Sequence, residues 1–273
     1  MYDAAVLRFV KKLGPGLVTG ASDDDPSGIA TYAVAGASFG YSTLWTAVLT
    51  LPLMVAVQLV CARIGMVSGL GLTGTLRRHY PRLLLQATCM LLLVANVFNI
   101  GADLGGMSDA VTMLSGAPRF IPLLIFAGAI IVFTVYASYA AFAKYVKWTT
   151  LTLFSYVLSA IVSTPDWRAG VYRAFVPDIQ WSARYLTAIV AILGTTISPY
   201  LFFWQASHEV EAEKALGRRT RSSRRGATNE ELADARADVI VGMTFSNLVQ
   251  FFIILATAST FHTAGIRDIH TTR

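Results

Sequence analysis

The stretch Ser22-Asp23-Asp24-Asp25-Pro26-Ser27-Gly28 lies at the midpoint of an apolar run, residues 13–38, that is otherwise long enough to cross a bilayer. A charged side chain at the bilayer centre costs about 2.5–3.5 kcal/mol on insertion scales, and three consecutive acids cannot share one helix face. Pro26 removes a backbone donor and pushes Asp25 away from helical angles, while Gly28 accepts any backbone region. Irregular backbone survives at that depth only where it lines a cavity or is buried in protein. The run therefore reads as a helix broken at mid-membrane. It presents the Asp25 carboxylate, and freed carbonyls such as that of Ser22, to one polar point that suits a hard cation. Asp23 and Asp24 read as structural acids that cap the break or pair with an arginine elsewhere.

Outward from this break, six more apolar stretches have membrane length: about 43–66, 83–114, 120–141, 145–163, 185–206 and 238–261. The expected architecture is an all-α membrane protein, a single transmembrane domain over 1–273. Composition points the same way, with 55% hydrophobic and 14% charged residues where a soluble domain carries roughly 25% charged. These values exclude a disordered chain, a soluble DNA-binding domain and a disulfide-stapled secreted fold. Sixteen of the 22 Lys and Arg fall on the side of the N-terminus, which predicts a cytoplasmic N-terminus in a multi-pass protein of the cell (inner) membrane. The net charge of +6 is thus topological, and Gly217 to Gly226 reads as a solvated loop near lipid with no nucleic-acid partner. Within the following residues, Thr228-Asn229-Glu230-Glu231 reads as the start of the helix that becomes the seventh span. No cleavable signal peptide is expected.

The sixth stretch holds a matching interruption, Gly194-Thr195-Thr196-Ile197-Ser198-Pro199-Tyr200. Broken helices at the first and sixth positions are what an inverted repeat of five helices would set opposite each other. In the third stretch Asn96, Asn99 and Asp103 share one helix face. Asn96 reads as interhelical hydrogen-bonding glue and Asp103 as facing a polar ion route, with an arginine partner as its alternative. Cys61 and Cys89 sit in apolar runs, as buried small hydrophobes do, without metal or disulfide spacing. The four histidines fall in loops or at span ends, and no nucleophile–base constellation is present, so no enzyme and no resident cofactor is expected.

The runs Gly14-Pro15-Gly16, Asp25-Pro26-Ser27-Gly28 with Ile29-Ala30-Thr31, Ala35-Gly36-Ala37, Phe39-Gly40-Tyr41, Ile100 to Gly105 and Gly194 to Pro199 resemble the Nramp metal-ion transporters. The resemblance extends from Leu13 to Thr260. It implies a LeuT-like inverted-repeat bundle, alternating access, and divalent metal ions as substrate rather than cofactor. The chain departs from the family signature at six positions. The signature Asp-Pro-Gly-Asn becomes Asp25-Pro26-Ser27-Gly28, and Met-Pro-His-Asn becomes Ser198-Pro199-Tyr200-Leu201. The acidic pair of the third span reduces to Asp103, with Gly106 where a glutamate is usual.

A thioether favours softer ions, so its replacement by a hydroxyl, together with Gly28 in place of an amide, leaves oxygen ligands and more room. The pattern is similar to the Nramp-related magnesium transporters. The resemblance then implies that Asp25 anchors a partly hydrated Mg2+, helped by carbonyls near Ser22 and Thr195, by Ser198, and by the room at Gly28, with Mn2+ able to use the same oxygens. Asp103, Asn99, Thr196 and Tyr200 are expected along the ion route or behind the ligands. The alternatives are a proton-coupled Mn2+/Fe2+ importer of the general type and, from another class, a non-transporting membrane scaffold or regulatory subunit. An organic-solute symporter would face repulsion from Asp25. Because five spans plus two fall short of an inverted pair of five, the chain is expected to be a C-terminally truncated or split piece.

Overall fold

The computed structural model describes residues 14–137 and 150–269, and among these it is helical with no strand. The first apolar stretch forms two helices, α1 (Pro15–Asp23) and α2 (Pro26–Phe39), separated by Asp24 and Asp25. A tight turn at Gly40, whose φ of 60° suits glycine, leads into α3 (Trp45–Ser68). The short α4 (Leu72–His79) joins it to α5 (Arg82–Ser115) and α6 (Phe120–Tyr136). After a one-turn 3₁₀ segment come α7 (Phe154–Val162) and α8 (Trp167–Phe175), then α9 (Ala183–Thr196) and α10 (Pro199–Ala215). The last helix, α11 (Asn229–Thr257), closes in a π-helical turn, Ala258–His262. By length and composition α3, α5, the α9–α10 pair and α11 with its closing turn can each cross a membrane, and α6 and residues 151–162 are shorter apolar helices.

Three expectations are adjusted. The sixth span is expected to end at residue 206, and the helix that carries it continues to Ala215, because Glu, Ala and Lys are strong helix formers although Glu and Lys are too polar to register in hydropathy. His208 is accordingly helical rather than in a loop. The fourth span leaves helix at Ala137 and its last residues, 138–141, lie outside the described residues, as do Lys144, Lys147 and the start of the span expected over 145–163.

The start of α11 follows its sequence. Thr228 caps the helix by accepting from Glu231 N, and the Glu231 carboxylate reaches back to Thr228 N at 2.8 Å. Further along, α11 is the element against which α1 docks. A methyl group at Gly16 would come within 2.6 Å of Val239 N, and one at Gly20 or Gly242 would overlap facing backbone, so the two helices touch main chain to main chain. No side chain from its own sequence caps α1. Asp238 of α11 does so instead, accepting from Gly14 N (3.0 Å), Gly16 N (2.7 Å) and Leu17 N (3.1 Å), where the helix dipole favours an anion.

Two apolar clusters frame the breaks. Tyr32, Leu44, Ile192 and Ile254 pack above them, and Met54, Ala62, Leu201, Val239 and Met243 pack below. Between α3 and α11 runs a polar seam in which Thr50 Oγ1 meets Asn247 Oδ1 at 2.7 Å and Gln250 Nε2 reaches Thr46 Oγ1 at 3.2 Å. On the other side α5 buries only Gly105 and Ser108, and Leu91, Phe98 and Leu114 stand exposed on it. Both cysteines are free, Cys61 buried and Cys89 half-buried.

Candidate metal-ion site

Pro26 and Asp25 together make the first break. Asp25 takes extended angles as the N-cap of α2, Pro26 starts the helix, and the Asp25 carboxylate satisfies the first-turn amide of Gly28 at 2.7 Å. The next free amide, Ser27 N, donates to Asp103 Oδ1 on α5 at 3.1 Å. Two carboxylates therefore share the positive end of α2, and Asp103 has no arginine partner among the described residues.

Further donors converge on Asp25. Its Oδ1 also accepts from Ser27 Oγ (2.7 Å), and its Oδ2 accepts from Asn99 Nδ2 (2.8 Å) and Tyr200 Oη (3.0 Å). Asn99 thus sits directly on Asp25 and bridges to Asp103 Oδ2 at 3.2 Å. Ser27 Oγ lies within 2.9 Å of Asn99 Oδ1 as well, so one hydroxyl proton serves two acceptors and leaves a lone pair uncommitted.

The glycine at position 28 leaves the space on which this arrangement centres. A Cβ there would lie 3.2 Å from the Asp23 carbonyl oxygen, 3.3 Å from Asp25 Oδ1 and 3.3 Å from Thr195 Oγ1. Three oxygens from both breaks thus converge on a cradle that any side chain would fill. Of the carbonyls expected near Ser22 and Thr195, the one at the cradle is that of Asp23, the residue after Ser22, and Thr195 faces it with its hydroxyl; the Ser22 hydroxyl turns back onto Val18 O at 2.8 Å.

The second break, at Ile197 and Ser198, is closed by its own side chain. Ser198 Oγ bonds to Gly194 O (3.0 Å) and Thr195 O (2.6 Å), the carbonyls left free by the extended Ser198 and by Pro199, which has no N–H. Thr196 is fully buried and holds Tyr32 Oη at 2.8 Å, which ties α2 to α9. Tyr200, expected behind the ligands, touches Asp25 itself. Its ring packs edge-on against Trp204, and Trp204 stacks on His208.

The neighbouring acids, expected to cap the break or pair with an arginine, do neither among the described residues. Asp23 is fully buried and accepts from Ser246 Oγ at 2.6 Å, while both carboxylate oxygens of Asp24, 6% exposed, lack a hydrogen-bond partner. Neither forms an ion pair among the described residues. Nor, among the described residues, does any group of three His, Cys, Asp or Glu side chains stand close enough to hold a metal. A cation at the cradle would rely on one carboxylate, neutral oxygens and retained water, the pattern suited to a small hard ion.

Comparison with known proteins bears on this geometry. The family model described as natural resistance-associated macrophage protein-like (Nramp) matches residues 16–273. The divalent metal cation transporter MntH of Pectobacterium carotovorum is 27% identical over 266 residues, covering 94% of this chain and 60% of the relative. Its namesake from Burkholderia ambifaria is 25% identical, covering 97% of this chain and 59% of the relative. The chain therefore spans about three-fifths of the length of these curated relatives. Crystal structures of a manganese transporter from Eremococcus coleocola superpose with TM-scores of 0.73 and 0.74 at 20% and 19% identity, over 91–92% of this chain and 51–52% of theirs. They share its fold.

Proposed function

The chain belongs to the natural resistance-associated macrophage protein-like (Nramp) family, and on that premise we propose that it carries the ion site of a transporter that moves divalent metal cations across a membrane by alternating access. The observation that carries this reading is the oxygen cradle at Gly28, to which the first break contributes Asp25 Oδ1 and the Asp23 carbonyl and the second contributes Thr195 Oγ1. Asp25 is the anchoring charge, and Ser27, Asn99, Asp103 and Tyr200 set its orientation. The metal is cargo, so no resident cofactor and no covalent chemistry enter. The Lys and Arg asymmetry supports a cytoplasmic N-terminus.

All donors at the cradle are oxygen, which favours Mg2+ with part of its water shell. A second reading is Mn2+, favoured by the names of the relatives, divalent metal cation transporters and a manganese transporter. Uptake by cells or proteoliposomes distinguishes transport from a scaffold role. Asp25→Ala abolishes metal-dependent uptake, whereas Asp23→Asn, which keeps the backbone carbonyl, retains it. Competition at the uptake step then sorts the cargo: Mg2+ and Mn2+ compete with each other and Cd2+ competes weakly. Strong Cd2+ preference contradicts the oxygen site, and uptake that survives Asp25→Ala contradicts the mechanism.

A further inference from the structure

Beyond the second break, α10 carries Gln205, Glu209 and Glu213 at four-residue spacing, so the three share one helix face. They lie on the half of the helix that positive-charge asymmetry assigns to the cytoplasm. All three are buried, at 0%, 6% and 5% exposure. Gln205 Nε2 donates to Glu209 Oε1 at 2.8 Å, which lays the amide against the carboxylate. The amide's other end, Gln205 Oε1, has no partner although it is shut off from solvent.

Charge compensation is uneven along this face. Glu213 has Arg218, whose Nη1 stands 3.7 Å from its Oε1. Asp238, which faces Glu209 from α11, spends its carboxylate on the three amides at the start of α1. Glu209 has the like charges of Asp238 and Glu213 as neighbours, forms no ion pair among the described residues, and has the neutral amide of Gln205 as donor. From α3, Gly65 closes on it, since a Cβ there would lie 3.1 Å from Glu209 Cβ. A buried carboxylate beside an orphaned amide oxygen, with no cationic side chain paired to it among the described residues, is an acceptor-rich cluster. Leaving a buried acceptor unpaired is unfavourable, and leaving a buried charge unpaired is more so. A divalent cation that keeps several waters needs only one or two such protein oxygens and would satisfy both.

We propose that Glu209 and Gln205 Oε1 form a second site for a hydrated divalent cation, a staging point on α10 roughly 13 Å of helix beyond Tyr200, at 1.5 Å per residue. Its cargo is that of the cradle, and to that extent the inference rests on the proposed function. Equilibrium binding of Mn2+ to the full chain, followed by electron paramagnetic resonance and calorimetry, separates the two. The wild-type chain binds two equivalents. Glu209→Gln and Gln205→Leu each lose one and keep the Asp25-dependent one, and Asp25→Ala does the reverse. Gln205→Glu adds a second carboxylate and tightens the Glu209 equivalent at least several-fold, which an amide serving packing alone would not do. Thermal unfolding of the metal-free variants confirms that each folds. A single equivalent that vanishes with Asp25→Ala and ignores Glu209→Gln overturns the second site and leaves the cradle standing. A Glu209-dependent equivalent with no Asp25-dependent one overturns the cradle instead.

Discussion

The two interrupted spans begin from the same device, a proline in an apolar helix, and finish differently. At the α1–α2 break the free amides of α2 are taken by Asp25 and Asp103, while the Asp23 carbonyl and the edge of Asp25 Oδ1 border the space at Gly28. At the α9–α10 break the Ser198 hydroxyl folds back onto the carbonyls of Gly194 and Thr195. The first break exposes oxygen and the second consumes most of its own, offering the Thr195 hydroxyl and the Tyr200 phenol. A proline interrupts the ladder, and the neighbouring side chains then decide whether the freed groups remain available to an ion.

Four substitutions probe that contrast. Asp25→Ala removes the charge that borders the cradle and lowers Mg2+ or Mn2+ affinity by about 100-fold or more, roughly 2.7 kcal/mol, in an equilibrium titration. Asp238→Ala strips the cap from α1, the arm that carries the Asp23 carbonyl, and lowers stability by about 2 kcal/mol, seen in thermal or denaturant unfolding. Gly28→Ala places a methyl group among three oxygens at 3.2–3.3 Å and weakens binding about tenfold. Since alanine suits a helix better than glycine by about 0.5–1 kcal/mol, this loss comes without a drop in melting temperature. Ser198→Ala costs about 1 kcal/mol of stability by orphaning carbonyls at the closed break, yet changes metal affinity less than about twofold. Were Ser198→Ala to match Asp25→Ala in binding, the two breaks would be equal partners and the contrast would fail.

Much of this was legible from residue order alone. Three acids before Pro26 in an apolar run cannot continue as helix, and the face shared by Asn99 and Asp103 follows from helical spacing, so their arrival together at the first break was within reach. Which carbonyl of a two-residue break turns inward was not: that depends on the φ and ψ of Asp24 and Asp25, and it selected Asp23 over Ser22. Nor could spacing reveal that Asp238, 222 residues away from Gly16, would cap α1. That contact exists because Gly16, Gly20 and Gly242 let two backbones meet, a property of the docked pair. The extension of α10 to Ala215 carried a usable signal, the Glu- and Ala-rich run 209–215, but hydropathy stopped reading where polarity began. Glu209 was passed over for that reason.

The position of a bound ion distinguishes the open break from the closed one most directly. Anomalous scattering from crystals of the chain soaked in Mn2+ locates it without recourse to activity. The prediction is a peak beside Gly28, within about 2.6 Å of an Asp25 carboxylate oxygen and of the Asp23 carbonyl. A peak confined to other residues, with the space at Gly28 filled by nothing but protein, would contradict it.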